Sequence, residues 1–144
     1  MKVKEAMHKG VEWVSPDTPV TVLATLMCGR DIGAIPIGEN DQLIGMVTDR
    51  DIVIRGLAGG KGPDTKVRDV MSPDVKYCYE DEKVDHVAHN MGDIQVRRLP
   101  VVNREKRLVG IVSIGDLSHQ ARPAVTGNAV AEISRPGGAH TQGA

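Results

Sequence analysis

The sequence repeats itself, and this duplication constrains the fold more than any other feature of the chain. Residues 3–7 (VKEAM) return as residues 67–71 (VRDVM). After a one-residue insertion in a turn, residues 43–51 return as residues 108–116. Matching residues keep their order and spacing over about 50 residues, which is the signature of a duplicated supersecondary unit. The chain is therefore predicted to contain two copies of one structural unit.

Both copies begin with the pattern of an amphipathic helix, followed by two short apolar strands. Apolar residues recur at helical spacing from Val20 to Met27 and again from Val84 to Met91. Paired apolar segments around a polar turn then predict a β-hairpin in each copy, at 32–37 with 43–47 and at 96–102 with 108–112. A second helix is expected from Asp51 and from Asp116. A small strand is expected before each first helix, at 11–14 and 75–79.

The predicted fold is α/β (α+β in detail), with two repeats that each contain a three-stranded sheet and two helices. Repeat 1 is assigned to residues 1–58 and repeat 2 to residues 67–121, joined by a Gly-rich linker at 59–66. Residues 122–144 are rich in Gly, Ala and Pro and have no sustained period. They are predicted to form a poorly ordered tail.

Composition argues against several classes of function. The formal net charge of the 144 residues is −1, so the chain lacks the basic excess that binds nucleic acid. No apolar run approaches the ~20 residues that cross a bilayer, and no signal peptide is recognisable, so a cytoplasmic protein without a membrane partner is expected. Cys28 and Cys78 lack CxxC spacing, which argues against a zinc ribbon and favours buried or free thiols.

Three motifs occur in both copies and carry a resemblance to a known family. They are the openings VKEAM and VRDVM, the strand segments AIPI and RLPV, and the segments GMVTDRD and GIVSIGD. The repeat resembles the CBS domain, and the tandem pair resembles a Bateman module, as found in small bacterial two-repeat proteins. The last motif fits Gly-apolar-x-Thr/Ser-x-x-Asp, the nucleotide signature of that family, and both copies are intact.

The resemblance implies a fold and a function. The fold would be two repeats about a pseudo-two-fold axis, with an adenine nucleotide such as AMP, ATP or NAD in the cleft between them. The resemblance also implies a homodimer and a regulatory role in signal transduction, read by a protein effector that the sequence does not identify. No catalytic activity is expected.

The signature places hydroxyl and carboxyl groups where a strand passes into a helix. A helix N-terminus offers N–H groups and partial positive charge to a phosphate, and Thr48 and Ser113 lie there with their hydroxyls. Asp51 and Asp116 present carboxylate oxygens, which suit the paired hydroxyls of a ribose. The alternative is structural, since Thr or Ser caps many helices with Asp in the first turn. The duplicated context favours ligand binding.

Further candidates for the binding site surround the signature. The resemblance implies that Arg97 and Arg98 meet phosphate, although neighbours on a strand face opposite sides and only one would enter the cleft. Arg50 is a third candidate cation. Gly45 and Gly110 would let backbone or ligand approach closely. The resemblance also implies an adenine slot, whose apolar residues would each suit an ordinary core as well: Val14, Ile35, Val75 and Leu99.

Other interpretations are weaker or remain as alternatives. His86 and His89 lie three apart on a helix, a spacing that can bind metal, but no third ligand accompanies them and no metal site is predicted. The pair Gly60-Lys61 lacks the other residues of a P-loop. The alternatives to a nucleotide sensor are a dimerising interaction scaffold with an empty or metal-bound cleft, and a weak enzyme acting on nucleotides.

Overall fold

The computed structural model describes residues 1–11, 13–72 and 74–136, which form an α/β fold as predicted. Strands are β1 (His8–Lys9), β2 (Ala34–Glu39), β3 (Gln42–Thr48), β4 (Cys78–Tyr79), β5 (Arg98–Val102) and β6 (Leu108–Ser113). Helices are α1 (Val20–Arg30), α2 (Asp49–Asp51), α3 (Val84–Ile94), α4 (Ile114–Ser118) and α5 (Pro123–Ile133). Helix α2 continues as a π-helix over Ile52–Leu57, and short 3₁₀ helices cover Val3–Glu5 and Val67–Asp69.

Two compact units divide the chain, and each contains the first helix and the hairpin of one repeat. The continuous unit is Glu12–Val75, and the split unit combines Met1–Val11 with residues 76–136. Each unit thus takes its opening segment from the other copy of the repeat. The physical reason is burial, because Val67 and Val70 belong to the core of the continuous unit and Val3 to that of the split unit.

The continuous unit is built on the β2–β3 hairpin. Its strands pair antiparallel, and the left-handed backbone at Asn40 and Asp41 (φ 53° and 65°) is what a two-residue hairpin turn requires. Single bridges extend this pair on both sides, a parallel one between Val14 and Ile37 and an antiparallel one to Ser72. The strand predicted at 11–14 is therefore reduced to one bridging residue, and the predicted three-stranded sheet has two strands here.

The split unit contains a four-stranded sheet in the order β1-β6-β5-β4. The β5–β6 hairpin is antiparallel, β4 runs parallel to β5, and β1 runs antiparallel to β6. The prediction of three strands is thus wrong for this unit too, because His8 and Lys9 of the opening segment add an edge strand. The sheet of each repeat is completed by residues from the other copy, which the repeat pattern does not reveal.

Both cores are aliphatic. In the continuous unit the buried residues are Val20, Leu23, Met27, Ile35, Ile37, Val47, Val67 and Val70. In the split unit they are Val3, Cys78, Val84, Val87, Ala88, Met91, Val96, Leu99, Val101, Val112, Leu117 and Ala121. Ala24 lies within the apolar pattern from Val20 to Met27 but is exposed, whereas its counterpart Ala88 on α3 is buried.

The segment 122–144 is not a poorly ordered tail over its first part. Pro123–Ile133 form α5, which begins after Arg122 and lies against α3 and α4. Gly92 of α3 approaches Ala129 so closely that a Cβ at Gly92 would lie 3.0 Å from the Cα of Ala129. Small residues at this contact, rather than a large apolar stripe, dock the helix. Residues 137–144 of the predicted tail lie outside the described residues.

The predicted linker 59–66 is held against α1. The N–H of Val20 donates to the carbonyl of Thr65 (2.8 Å), and the hydroxyl of Thr21 donates to the carbonyl of Pro63 (2.7 Å). These carbonyls satisfy donors at the start of α1, where no side chain caps the helix.

Among the helices of the described ranges, none is long and apolar enough to span a bilayer.

Candidate functional site

Each unit contains one strand-to-helix segment of the signature, the first segment (Thr48–Asp51) and the second segment (Ser113–Asp116). In the first, the Thr48 N–H donates to the Asp51 carboxylate (2.9 Å) and the Asp51 N–H donates to the Thr48 hydroxyl (3.1 Å). The second repeats this geometry at 2.9 and 3.0 Å. Both are reciprocal capping boxes. The structural role considered from the sequence is therefore present in both copies.

The second carboxylate oxygen distinguishes the two segments. Oδ1 of Asp51 lies 3.9 Å from Nε of Arg55, four residues further along the same helical stretch. Oδ1 of Asp116 lies 3.1 Å from Nε2 of His8. The Asp51 side chain is only 3% exposed, against 19% for Asp116. Burial raises the pKa of Asp51 above its ordinary value, although hydrogen bonds from Thr48 and the charge of Arg55 oppose that rise.

In the first segment, the backbone N–H groups already donate hydrogen bonds within the protein. The N–H of Asp49 donates to the carbonyl of Gly33 (2.9 Å), and the N–H of Arg50 donates to the carboxylate of Asp49 (2.8 Å). With the Asp51 N–H bound to Thr48, every N–H of α2 has a partner. The first segment therefore retains no backbone donor for an anion.

The second segment keeps a donor available. The N–H of Ile114 donates to the carbonyl of Arg97 (2.9 Å), matching the bond between Asp49 and Gly33. Since Ile114 replaces the acidic Asp49, no carboxylate accepts from the following N–H. Across the described part of the chain, no hydrogen-bond partner is found for the N–H of Gly115.

The two predicted arginines lie beside the second segment. Arg98 begins β5 and is the register partner of Ser113, while Arg97 precedes it and is exposed. Within residues 1–11, 13–72 and 74–136, neither guanidinium has a hydrogen-bond or ion-pair partner. Gly33 and Ala34 occupy the equivalent places beside the first segment, where the exposed Arg50 is the predicted cation. Two of the three predicted cations therefore lie beside the second segment, and one lies beside the first.

The two predicted glycines have a structural reason within the protein. A Cβ on Gly110 would lie 2.5 Å from the backbone oxygen of His8, because β1 pairs with β6 at this point. A Cβ on Gly45 would lie 2.7 Å from Sδ of Met71 and 3.1 Å from the carbonyl of Ser72. Of the two uses predicted for these glycines, close backbone approach is the one the geometry requires.

The predicted adenine-slot residues lie mainly in the cores. Ile35 and Leu99 are each 2% exposed and belong to the cores of the continuous and split units. Val14 packs partly buried against the first of these cores, and Val75 is half-buried. Ile35 and Leu99 therefore have little surface to offer a ligand, whereas Val14 and Val75 retain some.

Each histidine of the α3 pair lies beside a carboxylate four residues away in the sequence. Nε2 of His86 lies 3.4 Å from Glu82, and Nε2 of His89 lies 3.2 Å from Asp93. The described residues contain no group of three or more His, Cys, Asp or Glu side chains placed to hold a metal ion.

Cys78 is buried, and desolvation raises the pKa of its thiol to about 12.

Two neighbours of the signature carboxylates were missed by sequence reasoning. Arg55 could have been found, since residues four apart lie on one helical face and Arg55 follows Asp51 by four. His8 could not, because it is separated from Asp116 by 108 residues and reaches it only through the pairing of β1 with β6.

Comparison with known proteins gives a consistent family assignment. The model of the CBS domain matches residues 3–57 and 67–121. Hypoxic response protein 1 of Mycobacterium tuberculosis (strain CDC 1551 / Oshkosh) is 41% identical over 117 residues, which cover 80% of this chain and 81% of the relative.

Solved structures share the fold. The crystal structure of Hypoxic Response Protein I with two coordinated zinc ions has a TM-score of 0.74 and 38% identity, covering 83% of this chain and 98% of that one. The CBS domain pair of protein MJ0100, in complex with 5′-methylthioadenosine and S-adenosyl-L-methionine, has a TM-score of 0.75 and 30% identity, covering 83% and 94%.

Proposed function

The chain belongs to the CBS-domain family, and from that premise we propose that it is a regulatory module that binds an adenosine-derived ligand and catalyses no reaction. The MJ0100 domain pair binds two such ligands, which supports this ligand class. Among adenosine derivatives we propose an adenine nucleotide, AMP, ATP or NAD. The choice of a nucleotide rests on the chemistry of the second segment.

The unpaired donors around the second segment carry the proposal. The N–H of Gly115 and the guanidinium groups of Arg97 and Arg98 have no partner among the described residues. Backbone N–H groups and arginines are the groups that bind phosphate. Oδ2 of Asp116 is engaged by the capping box, so Oδ1 is the oxygen available to a ribose, in exchange for His8. A phosphate and a ribose would thus be held by one segment.

The first segment suits a phosphate poorly. Its backbone donors are occupied, Asp49 adds negative charge, and Asp51 is almost fully buried. We therefore propose that the phosphate-bearing ligand binds at the second segment and that the first segment is mainly a helix cap.

A ligand-independent scaffold is the second candidate. It is favoured by the capping boxes, which account for Thr48, Asp51, Ser113 and Asp116 without any ligand. In that case the signature would stabilise the fold alone, and the output of the protein would depend on its partners.

The test is calorimetric titration of nucleotide-free protein with AMP, ADP, ATP, NAD, adenosine and S-adenosyl-L-methionine. We expect roughly micromolar binding of a phosphate-bearing ligand. The double variant Arg97→Ala/Arg98→Ala should weaken that binding at least tenfold, or about 1.4 kcal/mol. Asp116→Asn should also weaken it, although the Asn oxygen can still accept from Ser113 and preserve the cap.

Asp51→Asn is the matched control, since it alters the equivalent carboxylate of the first segment. It should leave the affinity within about twofold. Equal loss in Asp51→Asn and Asp116→Asn would contradict the assignment to the second segment. Absence of binding by every compound in the wild-type protein would reject the nucleotide and leave the scaffold.

A further inference from the structure

We propose that His8 regulates the ligand site at the second segment, because its imidazole occupies the carboxylate oxygen of Asp116 that a ribose needs. This inference rests on the function proposed above. The bond between His8 and Asp116 is an autoinhibitory contact that the ligand must break, and protonation of the imidazole strengthens it. Affinity for the nucleotide is therefore lower at acid pH than at mildly alkaline pH.

The contact uses Oδ1 of Asp116, the oxygen that takes no part in the capping box. Oδ2 accepts the hydrogen bond from the N–H of Ser113 (2.9 Å), whereas Oδ1 lies 3.1 Å from Nε2 of His8. An imidazole N–H can donate to a carboxylate oxygen at this distance, and an imidazolium adds an ionic attraction to the same bond. The ribose and His8 therefore compete for one atom.

The His8 side chain can leave this contact with little loss of packing. It is 71% exposed, and both residues of β1 are exposed at the edge of the four-stranded sheet. The pairing of His8 with Ile111 is made by the backbone, so it can persist while the side chain changes rotamer. Exposed side chains change rotamer within picoseconds to nanoseconds. A ligand can thus displace the imidazole without unfolding the strand.

The two copies of the repeat differ in the cation that faces the signature carboxylate. The place of His8 is taken in the other copy by Ser72, which carries no charge. In turn, Gln120 stands in the second repeat where the first has Arg55. The first carboxylate thus faces a guanidinium, which stays charged, and that of Asp116 faces an imidazole, whose charge changes between about pH 5 and 8. The proton-dependent partner lies at the segment that keeps donors for phosphate.

The surroundings of His8 decide the direction of the pH effect. Strand β6, which pairs with β1, contains no titratable side chain, and α4 contributes Asp116. The other charged residues on the opening segment around β1 and at the start of β5 are Lys4, Glu5, Lys9, Arg97 and Arg98. Most of them are basic and oppose protonation of His8, whereas Asp116 favours it at hydrogen-bond distance. Because the attraction between charges falls with distance, the contact with Asp116 sets the sign.

The test is calorimetric titration of the full-length protein with AMP, ATP and NAD at about pH 5.5 and about pH 8. At the lower pH, His8→Ala should bind the nucleotide about two- to fivefold more tightly than the wild type, the range expected for an exposed ion pair. The gain should shrink at the higher pH, because the imidazole is then neutral. Comparing the two proteins at each pH cancels the titration of the phosphate itself.

Two further variants show whether His8 acts through Asp116. His119→Ala is the matched control, since it removes another exposed histidine of the split unit, at the end of α4. It should leave the affinity equal to that of the wild type at both pH values. In the Asp116→Asn background, His8→Ala should have no pH-dependent effect, because the imidazolium no longer has a carboxylate to face. Circular dichroism checks that each variant is folded.

The possible outcomes separate this proposal from the nucleotide function. Binding by His8→Ala without binding by the wild type would be the expected result in its strongest form. If both proteins bind with equal affinity at both pH values, the regulation is rejected and the nucleotide site remains. Weaker binding by His8→Ala would also overturn the proposal, because His8 would then assist the ligand. If neither protein binds any of the probes, the nucleotide function itself is rejected, together with this inference.

Discussion

Asp51 and Asp116 occupy equivalent positions, yet their neighbours give them different chemistry. The Asp51 side chain is almost fully buried, and its Oδ1 lies 3.9 Å from Nε of Arg55. The Asp116 side chain is partly exposed, and its Oδ1 lies 3.1 Å from Nε2 of His8. The sequence motif specifies the capping box in both copies. It does not specify burial, which depends on what the rest of each unit places over the segment.

A pH dependence of stability follows from the burial of Asp51. Its folded-state pKa is raised by desolvation, so its favourable contribution is complete at acid pH and is lost as pH rises through that folded pKa. The free energy of unfolding of the wild type, minus that of Asp51→Asn, should therefore increase as pH falls from neutrality. Urea unfolding of both proteins across this range measures the difference.

Asp17 supplies the control of opposite sign. Its hydrogen bond from the Arg68 guanidinium lowers the pKa of the Asp17 carboxyl, so its contribution is present above the ordinary carboxyl pKa and is lost as pH falls. The difference between wild type and Asp17→Asn should decrease toward acid pH. A pH-independent difference for Asp51→Asn would contradict the burial argument.

Helix α5 was not predicted from the sequence, which assigned its residues to a tail. Its sequence PAVTGNAVAEI has no stripe of large apolar residues and contains an interior glycine, so it resembles a flexible tail. Tertiary contacts account for it instead. Asp85 accepts hydrogen bonds from the N–H (3.0 Å) and Nε (2.7 Å) of Arg122, and the amide of Gln95 donates to the carbonyl of Glu132 (2.9 Å). The hairpins and main helices were predictable because their periodicity is local.

Replacing Gly92 with a larger residue should separate α5 from α3. In Gly92→Leu the added side chain meets the backbone of Ala129, which can yield only if α5 moves. We expect a loss of about 1–3 kcal/mol of unfolding free energy, together with faster proteolytic cleavage within α5. Gly127→Ala is the control, since no atom lies within 4 Å of its added Cβ. It should stabilise α5 by up to about 1 kcal/mol. Unchanged stability and cleavage in Gly92→Leu would show that the contact is not tight.

At the scale of the whole molecule, the duplication is visible in the sequence but the exchange of opening segments is not. Repetition shows that two similar units exist, and it assigns each opening segment to the copy that follows it. Burial assigns them differently, because Val67 and Val70 are fully buried in the continuous unit. Which of the two similar opening segments, VKEAM or VRDVM, completes a given core depends on long-range contacts, which no local pattern encodes.

Fragments of equal length distinguish these two divisions of the chain. Residues 12–75 contain a whole unit, whereas residues 1–64 contain the helix and hairpin of repeat 1 without Val67 and Val70. We expect the first fragment to unfold cooperatively in urea, followed by circular dichroism, and the second to lack a cooperative transition. Cooperative unfolding of 1–64 in the absence of such behaviour for 12–75 would favour the division predicted from the repeats.

The split unit also has a consequence for synthesis on the ribosome. Residues 12–75 are contiguous, so every segment of this unit has been synthesised once Val75 has been added. Residues 1–11 are translated before this unit, but β1 pairs with β6, which ends at Ser113. At about 5–20 residues per second, the opening segment waits on the order of 5–20 s for its partner strand. The opening segment is thus synthesised well before the strand with which it pairs.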